Sequence, residues 1–244
     1  MAESAKSVGV FFDYDNLTPI QKRDGIFDLL TKVLCLMPRT TIGAKIIKCD
    51  VRVYGGWYQE AQMTRMAQDV TVEIQRDFPS VIRLPASGET PSIAVTANAE
   101  LAMALLQEPA HHLFNTYRRK GRPSNIRVET PQNAGCTDPN CILPLMNTLI
   151  KTGRCPQSMC SATGENLVYR HEQKIVDTML SCDLIHGGGG QYDGVVLVSG
   201  DDDFLPPLRT VLLHGTPAVR FHPKPNGARA TFPHGGAKLI EMDL

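Results

Sequence analysis

Apolar residues run through this chain in short unbroken blocks, and two of the blocks end in the same way. Val8-Gly9-Val10-Phe11-Phe12 and Val195-Val196-Leu197-Val198 carry no polar residue on either face. Such blocks read as strands covered on both sides, as in the middle of a parallel sheet. Residues 46–54, closed by Gly55-Gly56, read as a third strand, and 81–84, 126–128 and 218–221 as shorter ones. Helical spacing follows the first block, with Ile20, Phe27, Leu30, Val33 and Leu34 on one face. Further helices are expected at 59–77, closed by Phe78-Pro79, at the alanine-rich 92–107, at 171–185 and at 205–213, with a short final element at 238–242. Strands alternating with helices predict an α/β fold: a Rossmann-like, doubly wound, mainly parallel sheet. Sites in such sheets form beyond the carboxyl ends of the strands, where the strand order reverses.

The alternation lapses between 130 and 165, a stretch rich in Pro, Asn, Gly and Cys with little apolar periodicity outside 142–150. It reads as a small insertion in a single domain spanning 1–244. Four of the seven cysteines lie there, as Cys136-x4-Cys141, thirteen residues, then Cys155-x4-Cys160. Two Cys pairs across a loop have the spacing of a four-thiolate structural zinc site, at the long end of the usual pair separation. Disulfides are the alternative, and a cytoplasmic setting argues against them. Cys35, Cys49 and Cys182 sit in apolar elements and read as buried core thiols.

Composition narrows the picture without deciding it. The chain has 244 residues, 25 basic against 25 acidic, and is 42% hydrophobic. No global basic excess announces a nucleic-acid binder, so any such surface must be local. The first residues lead into an apolar run that contains Asp13, which is not a signal-peptide pattern, and no apolar stretch approaches bilayer-spanning length. A cytoplasmic protein without membrane contact is expected.

Chemistry concentrates where the two buried blocks stop. The first runs into Asp13-Tyr14-Asp15-Asn16, the second into Ser199-Gly200-Asp201-Asp202-Asp203-Phe204. One aspartate is explained as a helix cap; three in succession are not. Carboxylates crowded at a buried strand end repel one another and resist desolvation, so a cation normally compensates. If the two strands are neighbours, their acids face each other. The expected helix before the second strand offers Lys174 and Asp177, roughly 60° apart on one face at 100° per residue, whereas Asp183 is rotated away and reads as structural or solvated.

Asp13-Tyr14-Asp15-Asn16 after a strand, Lys174-Ile175-Val176-Asp177 opening a helix, Ser199-Gly200-Asp201-Asp202-Asp203-Phe204 after another strand, and Gly215 ahead of the last core strand together resemble the LabA-like branch of the NYN family of PIN-like nucleases. The similar region covers roughly 7–60 and 168–222. The resemblance implies a metal-dependent endoribonuclease that hydrolyses RNA phosphodiester bonds and leaves a 5′-phosphate. It implies that Asp13, Asp177 and Asp201 hold Mg²⁺ or Mn²⁺, with Asp203 a fourth acid, and that Asn16 orients phosphate or water. Hard carboxylates suit these ions. Lys174 and Ser199 are candidate substrate contacts, Lys174 with an ion pair to Asp177 as the alternative. The basic run Arg118-Arg119-Lys120-Gly121-Arg122 is the candidate nucleic-acid surface, joined by Lys151, Arg154 and Arg170, with Tyr117 and His111-His112 near enough to stack on bases. Arg220, His222, Lys224 and Arg229 are a second candidate. RNA, single-stranded or structured, is the expected partner, with DNA left open. Asp202 is expected to be solvated, and Asp203 to be a ligand or the cap of the helix that follows.

Two other readings stand beside this one. A nucleic-acid-binding or assembly module could keep the fold without turnover. Asp13-x-Asp15, Lys174 and Gly200-Asp201 also resemble haloacid-dehalogenase-type phosphatases, though Leu17 stands where that family has Thr or Val.

Overall fold

Strand β1 (Lys6–Asp13) buries its last six residues, and β9 (Gly194–Val198) buries all five, so both lie inside a sheet rather than at its edge. The computed structural model describes residues 6–38, 46–86, 92–120, 127–225, 233–234 and 237–244. Clustering of the backbone divides the chain into two compact units, 117–173 and the remainder.

The larger unit is an α/β fold. Its sheet also contains β2 (Ile46–Tyr54), β5 (Ser80–Leu84), β6 (Ile93–Leu101), β10 (Ala218–His222), β11 (Pro233–His234) and β12 (Ala237–Asp243), in the order β11-β12-β10-β9-β1-β2-β6-β5. The six strands from β12 to β6 are parallel neighbours; β5 and β11 pair antiparallel at the margins. A two-strand hairpin, β3 (Tyr58–Gln59) with β4 (Gln62–Met63), follows β2.

Helices cover both faces. Helix α1 (Pro19–Asp24) begins with a capping box, in which Gln21 N donates to Thr18 Oγ1 and Thr18 N donates to Gln21 Oε1, with Pro19 in the first turn. Helices α2 (Ile26–Leu36) and α3 (Arg65–Asp77) bury Leu30, Val33, Val70 and Ile74 against Val10, Phe12, Val51 and Val196. On the other face α6 (Val176–His186) and α7 (Leu205–Leu213) bury Leu180, Leu184, Leu208 and Val211 against Phe11, Val195 and Leu197. Each fully buried side chain of this kind contributes about 1.5–3 kcal/mol.

β1 and β9 are parallel neighbours, with Phe12 opposite Val198. From β1 the chain crosses through α1 and α2 to β2 on one side; from β9 it crosses through α7 to β10 on the other. Right-handed crossovers in opposite directions put their helices on opposite faces and open a crevice between β1 and β9.

The expected helix at 92–107 is a strand instead. Ile93, Val95 and Ala97 point inward, Thr96 and Asn98 outward, and the segment pairs with β2 and β5. Period-two alternation and two ladders outweigh alanine's helical preference. The expected helix at 59–77 begins only at Arg65, after the hairpin, where Thr64 caps it. Ile20 is exposed rather than on the buried face. Of the candidate strand 126–128, Arg127 and Val128 belong to no strand and Ile126 lies outside the described residues. The final element is the strand β12, parallel to β10.

In the smaller unit, β7 (Tyr117–Lys120) pairs antiparallel with β8 (Arg170–Gln173). The helices α4 (Leu143–Thr152) and α5 (Gly164–Leu167) lie between them in sequence. Gly153, at φ 75°, closes α4 in the left-handed conformation that glycine adopts without strain. Among the described residues of this unit, Pro131 is the one apolar side chain that is buried. Among the described residues no helix is long and apolar enough to cross a membrane.

Candidate active site

Asp13 ends β1 and is 4% exposed, because β2 and β9 flank it and a 3₁₀ turn (Tyr14–Asn16) folds over it. Its Oδ2 accepts two hydrogen bonds, from Ser199 Oγ at 2.7 Å and from Asn16 Nδ2 at 3.1 Å. Among the described residues Oδ1 receives none. Ser199, wholly buried at the end of β9, also accepts from Asp201 N at 3.1 Å. One hydroxyl thus ties the two acidic loops together.

Asp201, not Asp203, is the cap of this loop: its Oδ1 accepts from Asp203 N at 3.0 Å and starts the 3₁₀ turn Asp202–Phe204. Asp203 is exposed. Asp177 stands in the first turn of α6. Burial raises the Asp13 carboxyl to about 6, with the nearby Asp177 and Asp15 adding to the rise and the Ser199 and Asn16 hydrogen bonds opposing it. Asp177 is likewise held above the ordinary carboxylate range, first by desolvation and then by Asp201, Asp203 and Asp15. Asp13, Asp177, Asp201 and Asp203 therefore share one electrostatic field. Among the described residues none of the four pairs with a basic side chain. Asp15 differs: Gly56 N donates to its Oδ2 at 3.2 Å and Lys22 lies 3.9 Å away.

Among the described residues, no group of three or more carboxylates, thiols or imidazoles is arranged to hold a metal ion. The donor chemistry nonetheless suits a hard divalent cation. The free Oδ1 of Asp13, the raised carboxyls and the missing basic partners are what such an ion offsets.

Lys174 is placed otherwise than expected. Residues 170–173 belong to β8, and Ile175, at φ 62°, turns the chain before α6 starts at Val176. Lys174 precedes the helix, donates its backbone N–H to the Thr116 carbonyl, and is exposed without an ion pair to Asp177 among the described residues. Asp183 is structural: it is 1% exposed, accepts from Tyr54 Oη at 2.8 Å and Leu106 N at 2.9 Å, and lies 3.5 Å from Arg52.

Arg220 and His222 are not a phosphate-binding surface. Both are 1% exposed because β12 covers β10. Arg220 Nε donates to the Ser199 carbonyl at 3.1 Å, and its Nη atoms reach Asp202 and Glu241 at 3.1 Å. Asp202 is therefore exposed yet paired, rather than simply solvated. This clamp holds the acidic loop from below. Lys224 is exposed, and Arg229 lies outside the described residues. The register of Arg220 opposite Glu241 is the feature a single-strand reading does not reveal.

Of the basic run, Arg118, Arg119 and Lys120 form β7, where the ladder sets Lys120 opposite Arg170; Arg122 lies outside the described residues. The smaller unit also holds Cys136, Cys141, Cys155 and Cys160, in contact as two pairs. All seven cysteines are free, and Cys49 is buried. Cys35 and Cys182 are exposed, on the outer faces of α2 and α6, contrary to a core role. A cavity of about 360 Å³ lined by Arg52, Ile74, Glu100, Met103 and His112 includes none of the acids.

Compared with protein-family models, curated proteins and solved structures, the chain matches none.

Proposed function

We propose that the chain is a metal-dependent endoribonuclease of the NYN, PIN-like type, cleaving RNA phosphodiester bonds at the crevice between β1 and β9. One observation carries this reading: Asp13, Asp177, Asp201 and Asp203 gather at a topological switch point, and among the described residues no basic side chain pairs with any of them. A surface that only bound nucleic acid would gain nothing from repelling phosphates with carboxylates. Mg²⁺ or Mn²⁺, when bound, supplies the positive charge and Lewis acidity that phosphodiester hydrolysis needs.

The chain's own residues do the positioning. Ser199 and Asn16 donate to Oδ2 of Asp13, and Asp13, with Asp177 and Asp201, would hold the cation. Ser199 also fixes the Asp201 amide, so its role is to orient the acids; a direct phosphate contact would compete with both bonds. Asp177, from the start of α6, and Asp203, from the 3₁₀ turn, complete the negative wall. Lys174 is exposed near Asp177 in sequence and suits a substrate phosphate, and Arg118, Arg119, Lys120 and Arg122 are the further backbone contacts proposed.

The test is a cleavage assay on varied RNAs and DNAs with Mg²⁺ or Mn²⁺. Products are expected, and are expected to vanish with chelator and with Asp201→Asn or Asp13→Asn. Retained cleavage in both variants removes the reading. A second reading is RNA binding without turnover. Tight RNA binding with no products from any substrate would establish it instead.

A further inference from the structure

The 117–173 unit poses a problem separate from the acids. It is compact, yet Pro131 is the one apolar side chain buried among its described residues, and Ile142, Leu143, Leu145 and Met146 at the start of α4 are all exposed. Bodies below roughly 70–80 residues with so thin a core are usually held by disulfides or by a metal. β7 and β8 do not suffice, since a lone two-stranded ribbon is marginal in water.

The cysteines supply what the core lacks. Cys136 lies beside Cys141, and Cys160 beside Cys155. The Cys141 sulfur also accepts a backbone N–H from Leu143, two residues further on, at 3.4 Å. Thiolate is the form that ligates metal; the Ala162 amide holds the Cys160 thiol below its ordinary value, while the neighbouring Cys141 holds the Cys136 thiol above it. Turn bonds hold these loops in shape, with Cys141 N donating to the Asp138 carbonyl and Cys160 N to that of Gln157. The bridge between Arg154 and Thr163, with Cys155 N donating to the Ala162 carbonyl, closes the second loop on itself.

We propose that the two pairs close together on one thiophilic divalent cation, Zn²⁺, and that the fold of residues 117–173 depends on it. The four thiols stand as two separate pairs, and no larger group is formed among the described residues. The metal's part is to join two loops already shaped for it. Four S–H groups become four sulfur–zinc bonds, their protons pass to solvent, and no electrons move. A four-thiolate centre has no open position, so its role is structural and coupled to folding. The dependent element is a ribbon rich in basic residues, since Arg118, Arg119, Lys120, Arg170 and His171 all belong to β7 and β8. The inference does not rest on the nuclease reading.

The test uses the full chain purified without chelator. About one zinc per chain is expected by elemental analysis, lost in Cys136→Ser and Cys155→Ser but kept in Asp13→Asn and Asp201→Asn. Removing zinc with a strong chelator should speed tryptic cleavage within 117–173 by about tenfold or more, while the larger unit keeps its rate. Should the Cys variants fail to fold, Co²⁺ exchange into the wild-type chain serves instead, expected to give thiolate charge-transfer and tetrahedral d–d bands. Less than about half an equivalent of zinc with all thiols free overturns the proposal. So does recovery of the four cysteines as disulfides, zinc that survives both Cys variants, or cobalt without thiolate bands.

Discussion

At pH 8 and without a divalent cation, the ionised Asp13 carboxylate opposes folding, and its removal is expected to stabilise the protein. Asp13 is 4% exposed and lies in the field of Asp177 and Asp15, and its carboxyl rises from 3.8 to about 6. At 1.36 kcal/mol per pH unit, holding it ionised in the folded chain costs about 3 kcal/mol. The direction follows from proton counting. The folded state keeps this proton to higher pH than the unfolded state, so the associated stability is present below about pH 4. It is lost as pH climbs through about 6 and stays lost above. Asp13→Asn removes the charge and keeps an oxygen for the Ser199 and Asn16 hydrogen bonds, but adds an NH₂ that needs a partner, which costs about 1–2 kcal/mol. A net gain of about 1–2 kcal/mol at pH 8 in EDTA remains, roughly 2–8 °C in Tm for a domain of this size.

The same substitution should reverse sign with metal. Mn²⁺ is expected to raise the wild-type Tm in proportion to the logarithm of its concentration, and Asp13→Asn to lose most of that rise. The assay is thermal unfolding of both proteins at pH 4 and pH 8, in EDTA and in a Mn²⁺ series. The curves should cross: the variant is more stable without metal and less stable with it, and its advantage in EDTA shrinks at pH 4. If Asp13→Asn is less stable than wild type at pH 8 in EDTA, the burial argument is wrong. If both proteins respond equally to Mn²⁺, Asp13 is not a ligand.

Asp177→Asn and Asp201→Asn should each lower RNA cleavage by about 100-fold or more while leaving Tm in EDTA unchanged or slightly raised, which separates a chemical role from a structural one. Arg220→Met leaves Glu241, 3% exposed at its side chain, without its buried guanidinium, and is expected to cost about 3–5 kcal/mol in urea unfolding. Adding Glu241→Gln should recover part of that loss, and no recovery would show that the Ser199 and Asp202 contacts dominate. Asp183→Asn weakens a buried network with Arg52, Tyr54 and the Leu106 amide, so a loss of about 2–4 kcal/mol is expected with kcat kept within about threefold of wild type.

What the sequence conveyed and what it hid divide along the range of the interactions. The β1 and β9 blocks are legible because burial on both faces leaves no polar position to misread. That they are neighbours was only a condition in the sequence, since no local signal states it; the sheet order supplies it. β6 was misread because alanine, leucine and glutamate suit a helix, and its inward alternation matters only once β2 lies beside it. The late start of α6 has the same origin. Residues 170–173 pair with 117–120, and no window around 171 contains that partner. Arg220 is the clearest case. A basic residue on the last core strand reads as a phosphate contact until β12 places Glu241 opposite it and closes it from solvent. The acids needed no such partner to be noticed, because their cost is local: three carboxylates after a buried strand are unfavourable wherever the strand lies. The acids were therefore easier to notice than the frame around them, and the contacts that Ser199 and Arg220 make to their loops emerged only with the sheet.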